Sequence, residues 1–338
     1  MRRFFLIILT SVLALGLLGG IATWWLNKPL LQGAQIVEFT VEAGSPARTV
    51  AQSVADSGVK VNPTLLYWWF RLSGQSRGIK AGSYELEPGQ TARTILQKLV
   101  RGEEALRSVT LAEGLTFAQI RQLLAQEALL KQESRDLGAD LIMQKLGRPG
   151  VSPEGRFFPD TYSFAKGSSD LAVLKQALRA MDKQLEAAWS TRQPDTPLKS
   201  PDQALILASI VEKETGRGSD RSLISGVFTN RLKIGMMLQT DPTVIYGMGE
   251  RFDGNLRKRD LQTDTPWNTY TRPGLPPTPI AMPGKAALIA AVQPAQTKAL
   301  YFVARGDGTS QFSATLDEHN RAVNRYQRGK PATARERP

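Results

Sequence analysis

The chain has 338 residues, 41% of them hydrophobic, and its 43 lysines and arginines against 31 aspartates and glutamates give a formal net charge of +12. This length and composition suffice for two or three modules with buried cores, which excludes a disordered protein. With no cysteine and one histidine, the sequence speaks against a disulfide scaffold and a structural zinc site, and we expect neither a metal nor a cofactor.

The beginning of the chain, residues 1–27, predicts a single membrane anchor. An uncharged apolar run from Phe4 to Leu26 is long enough to cross a bilayer, and it ends in two tryptophans. The run is longer than the hydrophobic region of a usual signal peptide and no clean cleavage site follows, so we favour an anchor over a cleaved signal. Arginines precede the run and Lys28 alone follows closely, which predicts a cytoplasmic N-terminus and an extracytoplasmic body.

The net charge has two interpretations, and neither involves nucleic acid. A body outside the membrane would not meet chromosomal DNA. Anionic lipid head groups or an acidic wall polymer would be suitable partners for a basic protein. Solvated surface charge with no partner is the other interpretation, because net charge speaks to non-specific association and not to fold.

Three similar stretches follow, and they predict a small α+β module rather than an extended array. Their sequences are VEAGSPARTV at Val41–Val50, LEPGQTARTI at Leu86–Ile95 and the fainter LAEGLTFAQI at Leu111–Ile120. Each reads as a short strand, a glycine turn, a polar cap and an amphipathic helix. Between the first two, Leu65–Leu72 predicts an aromatic-rich helix; we expect its rings to pack in a core, with stacking on sugars as the alternative.

A loop and a long helix come next. Glu154–Tyr162 contains glycine and proline, so we expect an irregular loop that presents Glu154, Asp160 and Tyr162 for ligand contacts. Apolar residues at helical spacing then predict a core helix over Leu171–Trp189.

The segment Ser200–Gly216, SPDQALILASIVEKETG, reads as a complete helix. Ser200 and Gln203 form a capping box, Pro201 suits the first helical position, and Gly216 predicts a left-handed terminator. We therefore expect a helix from about residue 201 to about residue 215.

The same helix carries an acid on its apolar face. At about 100° per residue, Glu214 falls near the centre of that face, whereas Glu212 points elsewhere. The face consists of Ile206, Leu207, Ile210 and Val211. Partial desolvation would raise the pKa of Glu214, which is what a general acid needs at neutral pH. The alternative is that Glu214 lies beyond the last buried turn and reaches water.

Two polar loops follow an amphipathic segment at Ile224–Leu232. Leu238–Tyr246 carries Gln239, Thr240, Asp241 and Thr243, and Asp264–Tyr270 carries Trp267, Asn268, Thr269 and Tyr270 before a proline-rich stretch. Amides, hydroxyls and aromatic faces beside rigid prolines are typical of a carbohydrate groove in composition, although polar loops of this kind are common.

The C-terminal part predicts a hairpin and a last helix. Tyr301–Val303 and Gln311–Ser313 flank a glycine-rich turn and form the hairpin. Asp317–Gln327 forms the helix and carries His319, which we interpret as a structural hydrogen-bonding residue rather than a metal ligand, because no cysteine or acid cluster stands at metal spacing.

The motifs that the sequence lacks leave a carboxyl group, acting as a general acid, as the candidate catalytic group. The chain lacks G-x-S-x-G, a P-loop and G-x-G-x-x-G, and its composition does not supply a metal-ligand set. Ordinary glycosidases use two carboxyl groups, and Asp241 is a plausible partner for Glu214. An enzyme with one carboxyl is the other option, if the substrate supplies its own nucleophile.

Nearly the whole chain resembles a known family, the membrane-anchored endolytic murein transglycosylases, also called the MltG or YceG-like family. The motifs that carry the resemblance are EGRFFPDTY at Glu154–Tyr162, ASIVEKET at Ala208–Thr215, LQTDPTVIYGMG at Leu238–Gly249, NTY at Asn268–Tyr270, GLPPTPIAMPG at Gly274–Gly284, and YFV and HN at Tyr301 and His319. In such enzymes the catalytic Glu precedes Ser or Thr on the last turn of a helix. Glu214 followed by Thr215 fits this pattern, and Glu212 followed by Lys213 does not.

The resemblance implies a fold and a location. We expect an α+β protein with a transmembrane helix, a LysM-like module at 38–105, a mixed α/β catalytic domain with a lysozyme-like core at 106–330, and a basic tail at 331–338. The protein would be a single-pass protein of the inner membrane with a periplasmic body. Its partners would be peptidoglycan glycan strands and penicillin-binding proteins or other wall synthases.

The resemblance also implies an activity: cleavage of the MurNAc–GlcNAc β-1,4 bond without water, leaving 1,6-anhydro ends. The residues assigned by analogy to glycan binding are Gln239, Thr240, Asp241, Tyr246, Asn268 and Tyr270. Asp241 has an alternative interpretation as a cap before Pro242, and Glu212 is expected in a surface or interdomain salt bridge. The rival hypotheses are a non-catalytic glycan-binding scaffold and a two-carboxyl muramidase that uses Asp241.

Overall fold

A computed structural model describes residues 2–31 and 35–328 and divides into two compact units. The first runs up to Arg107 and includes Ser163–Ser168, and the second comprises Ser108–Tyr162 and continues from Ser169. The predicted basic tail at 331–338 lies outside the described residues. Both units contain helices and short strands, so the mixed α/β class expected from the sequence is confirmed.

The first unit begins with the apolar helix α1 at Arg2–Asn27. Its stretch Phe4–Asn27 has a mean hydropathy of 2.5, and by length and composition it can cross a membrane. Beyond the helix, Leu30 donates its backbone N–H to the Gln90 carbonyl at 2.9 Å, and Leu26, Leu30 and Leu31 are buried. The chain after the apolar helix is therefore packed directly into this unit.

Two of the three predicted repeats form this unit. The elements are strand β1 at Val37–Val41, helix α2 at Ala47–Asp56, helix α3 at Pro63–Leu72, strand β2 at Gly82–Leu86 and helix α4 at Ala92–Arg101. The strands pair antiparallel, with Val37 opposite Leu86 and Val41 opposite Gly82. Gly44 and Gly89 both have positive φ in the turns that join strand to helix, so the predicted order of strand, turn and helix is confirmed.

The aromatic helix α3 packs one face into the core and leaves the other exposed. Leu66 and Phe70 are fully buried, and the Trp69 indole N–H donates to the Ala92 carbonyl at 3.1 Å. Trp68 on the opposite face is 48% exposed. The expectation of core packing is thus met by part of the helix only, because α3 packs against α2 and α4 with one face and leaves the other to solvent.

The second unit is mainly helical. Its helices are α5 at Phe117–Gln126, α6 at Ala139–Lys145, α7 at Asp170–Ser190, α8 at Pro201–Glu214, α9 at Gly218–Lys233, α10 at Asp241–Met248, α11 at Lys258–Gln262, α12 at Lys285–Val292 and α13 at Leu316–Val323. Strand β5 at Tyr301–Ala304 pairs antiparallel with β6 at Ser310–Ser313. Strand β3 at Leu106–Thr110 pairs with β4 at Thr161–Ala165, and the division into units falls within both of these strands. The predicted hairpin is confirmed, and the third repeat is strand β3, a turn at Gly114 and helix α5.

Helix α8 is the centre of this unit and is buried on every side. All eight residues from Ala204 to Val211 are buried, including Ser209, and the surrounding core draws on α7, α9 and α12. Ser209 satisfies its hydroxyl by donating to the Ile206 carbonyl at 2.7 Å and accepting from the Ile280 N–H at 3.0 Å. The predicted apolar face is real, but the alanines and the serine on the other faces are buried as well.

Several local expectations need correction. Ser200 caps α8 by accepting from the Gln203 N–H, but the Gln203 side chain accepts from Lys199 instead of Ser200, and Gly216 has no positive φ. The helix ends because Thr215 takes an extended conformation. Helix α9 is buried across most of its surface and is therefore not amphipathic. Asp241 starts helix α10 and does not lie in a loop.

Candidate active site

The carboxyl group of Glu214 lies at the end of the central helix. Glu214 is the last residue of α8, and it is partly buried. Its Oε1 accepts a hydrogen bond from the Thr240 hydroxyl, at the start of α10. The acid predicted from the helical pattern is therefore held by a residue of the predicted polar loop, 26 positions along the chain.

Burial determines the acidity of this carboxyl group. Desolvation raises the pKa of Glu214, and the negative charge of Asp241 raises it further. The hydrogen bond from Thr240 and the positive charge of Arg231 act in the opposite direction. The pKa remains above its ordinary value, because burial disfavours the charged form more than these two groups favour it. The carboxyl group of Glu214 therefore keeps its proton to a higher pH than an exposed glutamate does, as a general acid requires.

A turn at Gln239 presents Thr240 to Glu214. Gln239 has φ 47°, and it is the one residue other than glycine with positive φ in the part of the chain that the structure describes. Its backbone N–H donates to the Thr269 carbonyl at 3.1 Å, and the Thr240 N–H donates to the Thr269 hydroxyl at 3.1 Å. The Thr243 hydroxyl is 2.9 Å from the Thr269 hydroxyl and 2.7 Å from the Thr240 carbonyl. Buried threonines thus fix the strained backbone next to the acid.

Asn268 is buried, and its side chain holds the backbone of the loop that carries Tyr270. Its side chain is fully inaccessible, and its amide nitrogen donates to the carbonyls of Leu261 at 3.0 Å and Thr263 at 2.7 Å. Its amide oxygen accepts from the Tyr270 N–H at 2.8 Å. The structure thus commits this amide, which sequence analysis assigned to glycan, to the loop's own backbone.

Tyr270 and Asp241 form a pair beside Glu214. The Tyr270 hydroxyl donates to Asp241 Oδ1 at 2.5 Å, and burial together with Asp241 and Glu214 raises the pKa of Tyr270. Gln239 and Asp241 are exposed, and Tyr270 is partly buried. These three side chains are the members of the predicted set that retain accessible surface close to the acid.

Tyr246 points to a second acid, Glu154. The Tyr246 hydroxyl donates to Glu154 Oε2 at 3.1 Å, and the Tyr246 ring packs edge-on against Trp267 at 5.4 Å between centroids. Helix α10 therefore lies between two carboxyl groups: the residue before it binds Glu214, and Tyr246 near its end binds Glu154.

The structure buries Glu154 rather than presenting it on a loop. Glu154 is 5% exposed, and its two carboxylate oxygens accept from the Phe117 N–H, at the start of α5, at 3.1 and 3.3 Å. Burial raises the pKa of Glu154 to about 7, despite the hydrogen bonds from Tyr246, Phe117 and Gly155. The following Gly155 has φ +77°, and a Cβ there would lie 2.5 Å from Pro279 Cβ. The tight turn at Gly155 directs Glu154 inward, a relation that the sequence motif alone did not show.

Glu212 is buried as well, but in an ion pair away from Thr240. Its Oε1 lies 3.4 Å from Arg221 Nη2, with side-chain exposures of 6% and 11%, and its Oε2 accepts from the Gly284 N–H at 2.9 Å. The expected salt bridge exists. Its predicted place at the surface or between domains is wrong, since both partners are buried within the second unit.

His319 stacks on Tyr301 at 5.2 Å between ring centroids. Its buried Nδ1 atom has no hydrogen-bond partner, and burial lowers its pKa. The interpretation as a structural residue fits the ring contact, but the expected hydrogen bond is not made at this atom.

Comparison with known proteins places the chain in a family. Residues 39–325 match the model of the YceG-like family. The chain is 33% identical over 311 residues to the endolytic murein transglycosylase of Bacillus subtilis (strain 168), with 86% of this chain and 84% of that protein covered. It is 27% identical over 320 residues to the endolytic murein transglycosylase of Streptococcus pneumoniae serotype 2, with 85% of this chain and 58% of that protein covered.

A solved structure agrees with these matches. The crystal structure of a yceG-like protein from Listeria monocytogenes has a TM-score of 0.55 and 29% identity, with 85% of this chain and 98% of that chain covered. The family match extends over most of the chain and contains Glu154, Glu214, Thr240 and Tyr270. The protein therefore belongs to the YceG-like family.

Proposed function

We propose that the protein is an endolytic murein transglycosylase that cleaves the MurNAc–GlcNAc β-1,4 bond of nascent glycan strands and thereby ends their elongation. The observation that carries the proposal is the position of Glu214, an acid with a raised pKa at the end of a buried helix, held by Thr240. The names of the relatives from Bacillus subtilis and Streptococcus pneumoniae support the choice of substrate.

In the proposed reaction, Glu214 acts first as an acid and then as a base. Its proton passes to the glycosidic oxygen as the bond from that oxygen to MurNAc C1 breaks. The resulting carboxylate takes the proton of the MurNAc C6 hydroxyl while the C6 oxygen bonds to C1, which gives a 1,6-anhydro end and restores the acid. One carboxyl group suffices, because the two roles are consecutive and the nucleophile is already held next to C1.

The other residues of the predicted set divide by their accessibility. We assign glycan contacts to Gln239, Asp241 and Tyr270, which retain accessible surface near Glu214. Thr240 and Asn268 are buried, and we assign them to positioning of the acid and of the Tyr270 loop. Tyr246 joins them because its hydroxyl is directed to the buried Glu154.

The first unit and the apolar helix suggest where the reaction occurs. We propose that residues 38–105 form a LysM-like glycan-binding module and that residues 106–330 form a catalytic domain with a lysozyme-like core. The apolar helix would anchor the protein in the inner membrane with a cytoplasmic N-terminus and a periplasmic body, near penicillin-binding proteins or other wall synthases. The antiparallel β1–β2 pair with α2 and α3, and the span at Phe4–Asn27, support this arrangement.

The test is to incubate the purified protein with defined glycan strands and to analyse the products by mass spectrometry. We expect anhydro ends with the wild-type protein and none with Glu214→Gln. A matched variant, Glu212→Gln, should cleave if it folds. Reducing ends instead of anhydro ends would identify a hydrolase, and a Glu214→Gln variant that binds glycan and restores a deletion strain as well as wild type would favour the scaffold.

A further inference from the structure

The side chain of Arg231 is buried and holds the backbone of the segment that leads to Thr240. Arg231 belongs to α9 and is 7% exposed. Its Nη1 donates to the Leu238 carbonyl at 2.7 Å and to the Met237 carbonyl at 3.3 Å, and its Nε donates to the Leu300 carbonyl at 2.7 Å. One side chain therefore fixes the backbone immediately before Gln239 and the start of strand β5.

The charge of Arg231 is held by neutral hydrogen-bond acceptors. In the described part of the chain, no carboxylate oxygen lies within ion-pair distance of its guanidinium, and its hydrogen-bond acceptors are neutral carbonyls. The ring of Tyr301 covers it at 5.3 Å. A buried cation without an anion costs free energy, so any nearby group that becomes negative is stabilised by it. Glu214 is the carboxyl group whose charge acts on Arg231.

We propose that Arg231 is a positioning residue of the cleavage reaction, which holds the turn that presents Thr240 to Glu214 and stabilises the carboxylate that Glu214 becomes once it has protonated the leaving oxygen. This inference rests on the proposed function. A protonated Glu214 is needed to start the reaction, and a carboxylate must exist while the C6 hydroxyl attacks. Desolvation by itself favours only the first form; the Thr240 hydroxyl and the charge of Arg231 both favour the second form.

The other groups around the acid act in both directions. The charge of Asp241 on α10 disfavours the carboxylate form of Glu214, and the Thr240 hydroxyl favours it. Burial, Asp241 and Glu214 together raise the pKa of Tyr270. Burial lowers the pKa of Arg231, and Tyr301 on β5 acts against this shift. Burial and the charge of Arg231 together lower the pKa of His319 on α13. Among these groups Arg231 is the one permanent cation. Replacing it with a neutral residue therefore raises the pKa of Glu214.

The experiment compares the pH dependence of kcat/KM for three full-length proteins on the same glycan: wild type, Arg231→Met and Arg231→Lys. The alkaline limb reports loss of the Glu214 proton. Removal of the positive charge in Arg231→Met raises the pKa of Glu214, so we expect the alkaline limb to move to higher pH. Arg231→Lys keeps the charge but loses the planar donor fork, so we expect a lower kcat with the limb near its wild-type position. Arg231→Gln replaces Arg231→Met if the latter does not fold.

The control is Lys233→Met, which removes one positive charge from the same helix at a residue that pairs with Asp195 on the surface. We expect its pH profile and kcat to match wild type. A lower kcat for Arg231→Met with an unmoved alkaline limb would reduce Arg231 to a purely structural residue. An unchanged kcat together with an unmoved alkaline limb would remove both parts of the inference. If wild type is inactive, or if Glu214→Gln still cleaves, the proposed function or its acid fails, which is a result distinct from failure of the Arg231 inference.

Discussion

Thr240 donates its hydroxyl hydrogen bond to Glu214, and this contact joins the start of α10 to the last residue of α8. The hydroxyl lowers the pKa of Glu214 against the stronger effect of burial. Because the Thr240 backbone is itself tied to Thr269, the donor cannot easily turn away from the acid. The contact therefore fixes both the direction and the acidity of the carboxyl group.

Thr240→Val removes this hydroxyl and keeps the shape of the side chain. Hydrogen bonds to charged groups contribute about 1.5–3 kcal/mol, so we expect kcat to fall by about tenfold or more and the alkaline limb of the activity profile to move to higher pH. Steady-state kinetics across pH on defined glycans measures both effects. Thr110→Val, at an exposed threonine of strand β3 whose hydroxyl contacts that of Thr161, should match wild type. A Thr240→Val variant with normal kcat and pH profile would show that the contact does not matter for cleavage.

The buried carboxyl of Glu154 makes stability depend on pH. Its folded-state pKa of about 7 lies above the ordinary value of 4.5, so the folded state binds the proton more tightly than the unfolded state does. The stability that this provides is complete below pH 4.5 and is lost as pH rises to about 7. The loss amounts to about 3 kcal/mol, from the free energy of one pKa unit. Denaturant unfolding between pH 4 and pH 8 measures it.

Glu154→Gln keeps an acceptor for the Phe117 N–H and cannot ionise. We expect this variant to lose most of the fall in unfolding free energy between pH 4.5 and 7. Glu186→Gln, at an exposed glutamate of α7, should keep the wild-type dependence. The same pH dependence in Glu154→Gln as in wild type would assign the effect to other groups.

Glu212→Gln tests the ion pair with Arg221. It also distinguishes the structural role of Glu212 from the proposed catalytic role of Glu214 on the same helix. The change leaves Arg221 buried without its carboxylate, so we expect the free energy of unfolding to fall by about 3 kcal/mol. Asp195→Asn, which removes a carboxylate from the exposed pair with Lys233, should lower the free energy of unfolding far less than Glu212→Gln does, because solvent screens an exposed ion pair. Folded Glu212→Gln should still cleave glycan. Loss of cleavage in a fully folded Glu212→Gln protein would contradict the assignment of acid chemistry to Glu214 alone.

Gln239 combines a strained backbone with an exposed side chain, and two substitutions separate these properties. Gln239→Gly and Gln239→Ala both remove the proposed glycan contact, so we expect a higher KM for each. Only glycine relieves the left-handed conformation, so Gln239→Gly should be more stable than Gln239→Ala by about 1 kcal/mol. Kinetics and thermal unfolding of the two variants measure the difference. Equal KM values for wild type and both variants would remove Gln239 from the glycan site.

The local elements of the fold could be predicted from the sequence because their signals are local. Ser200 with Pro201 marks the start of α8, and the glycines at 44, 89 and 114 mark the three turns. The predicted place of Glu214 on an apolar face required only the helical period. Helix α12 at Lys285–Val292 received no prediction, although its apolar sequence packs against α8 in the core.

The contacts that make the site were beyond prediction because they join distant segments. Nothing in the spacing of Glu154 and Tyr246 shows that they share a hydrogen bond across 92 positions. The burial of Arg231 could not be predicted either, because arginine is mostly a surface residue and its carbonyl partners are distant in the sequence or outside its helix. Asn268 was assigned to glycan binding by analogy with the family, and only the structure shows that its buried amide donates to backbone carbonyls.

The most direct test of the central claim is cleavage of a defined glycan in water enriched in heavy oxygen, followed by mass analysis of the new ends. If Glu214 acts as acid and then as base toward the C6 hydroxyl, the new ends will be anhydro ends without the label, and Glu214→Gln will produce none. Heavy oxygen at the new reducing end would contradict this account, since it requires a water molecule and a second carboxyl group such as Asp241.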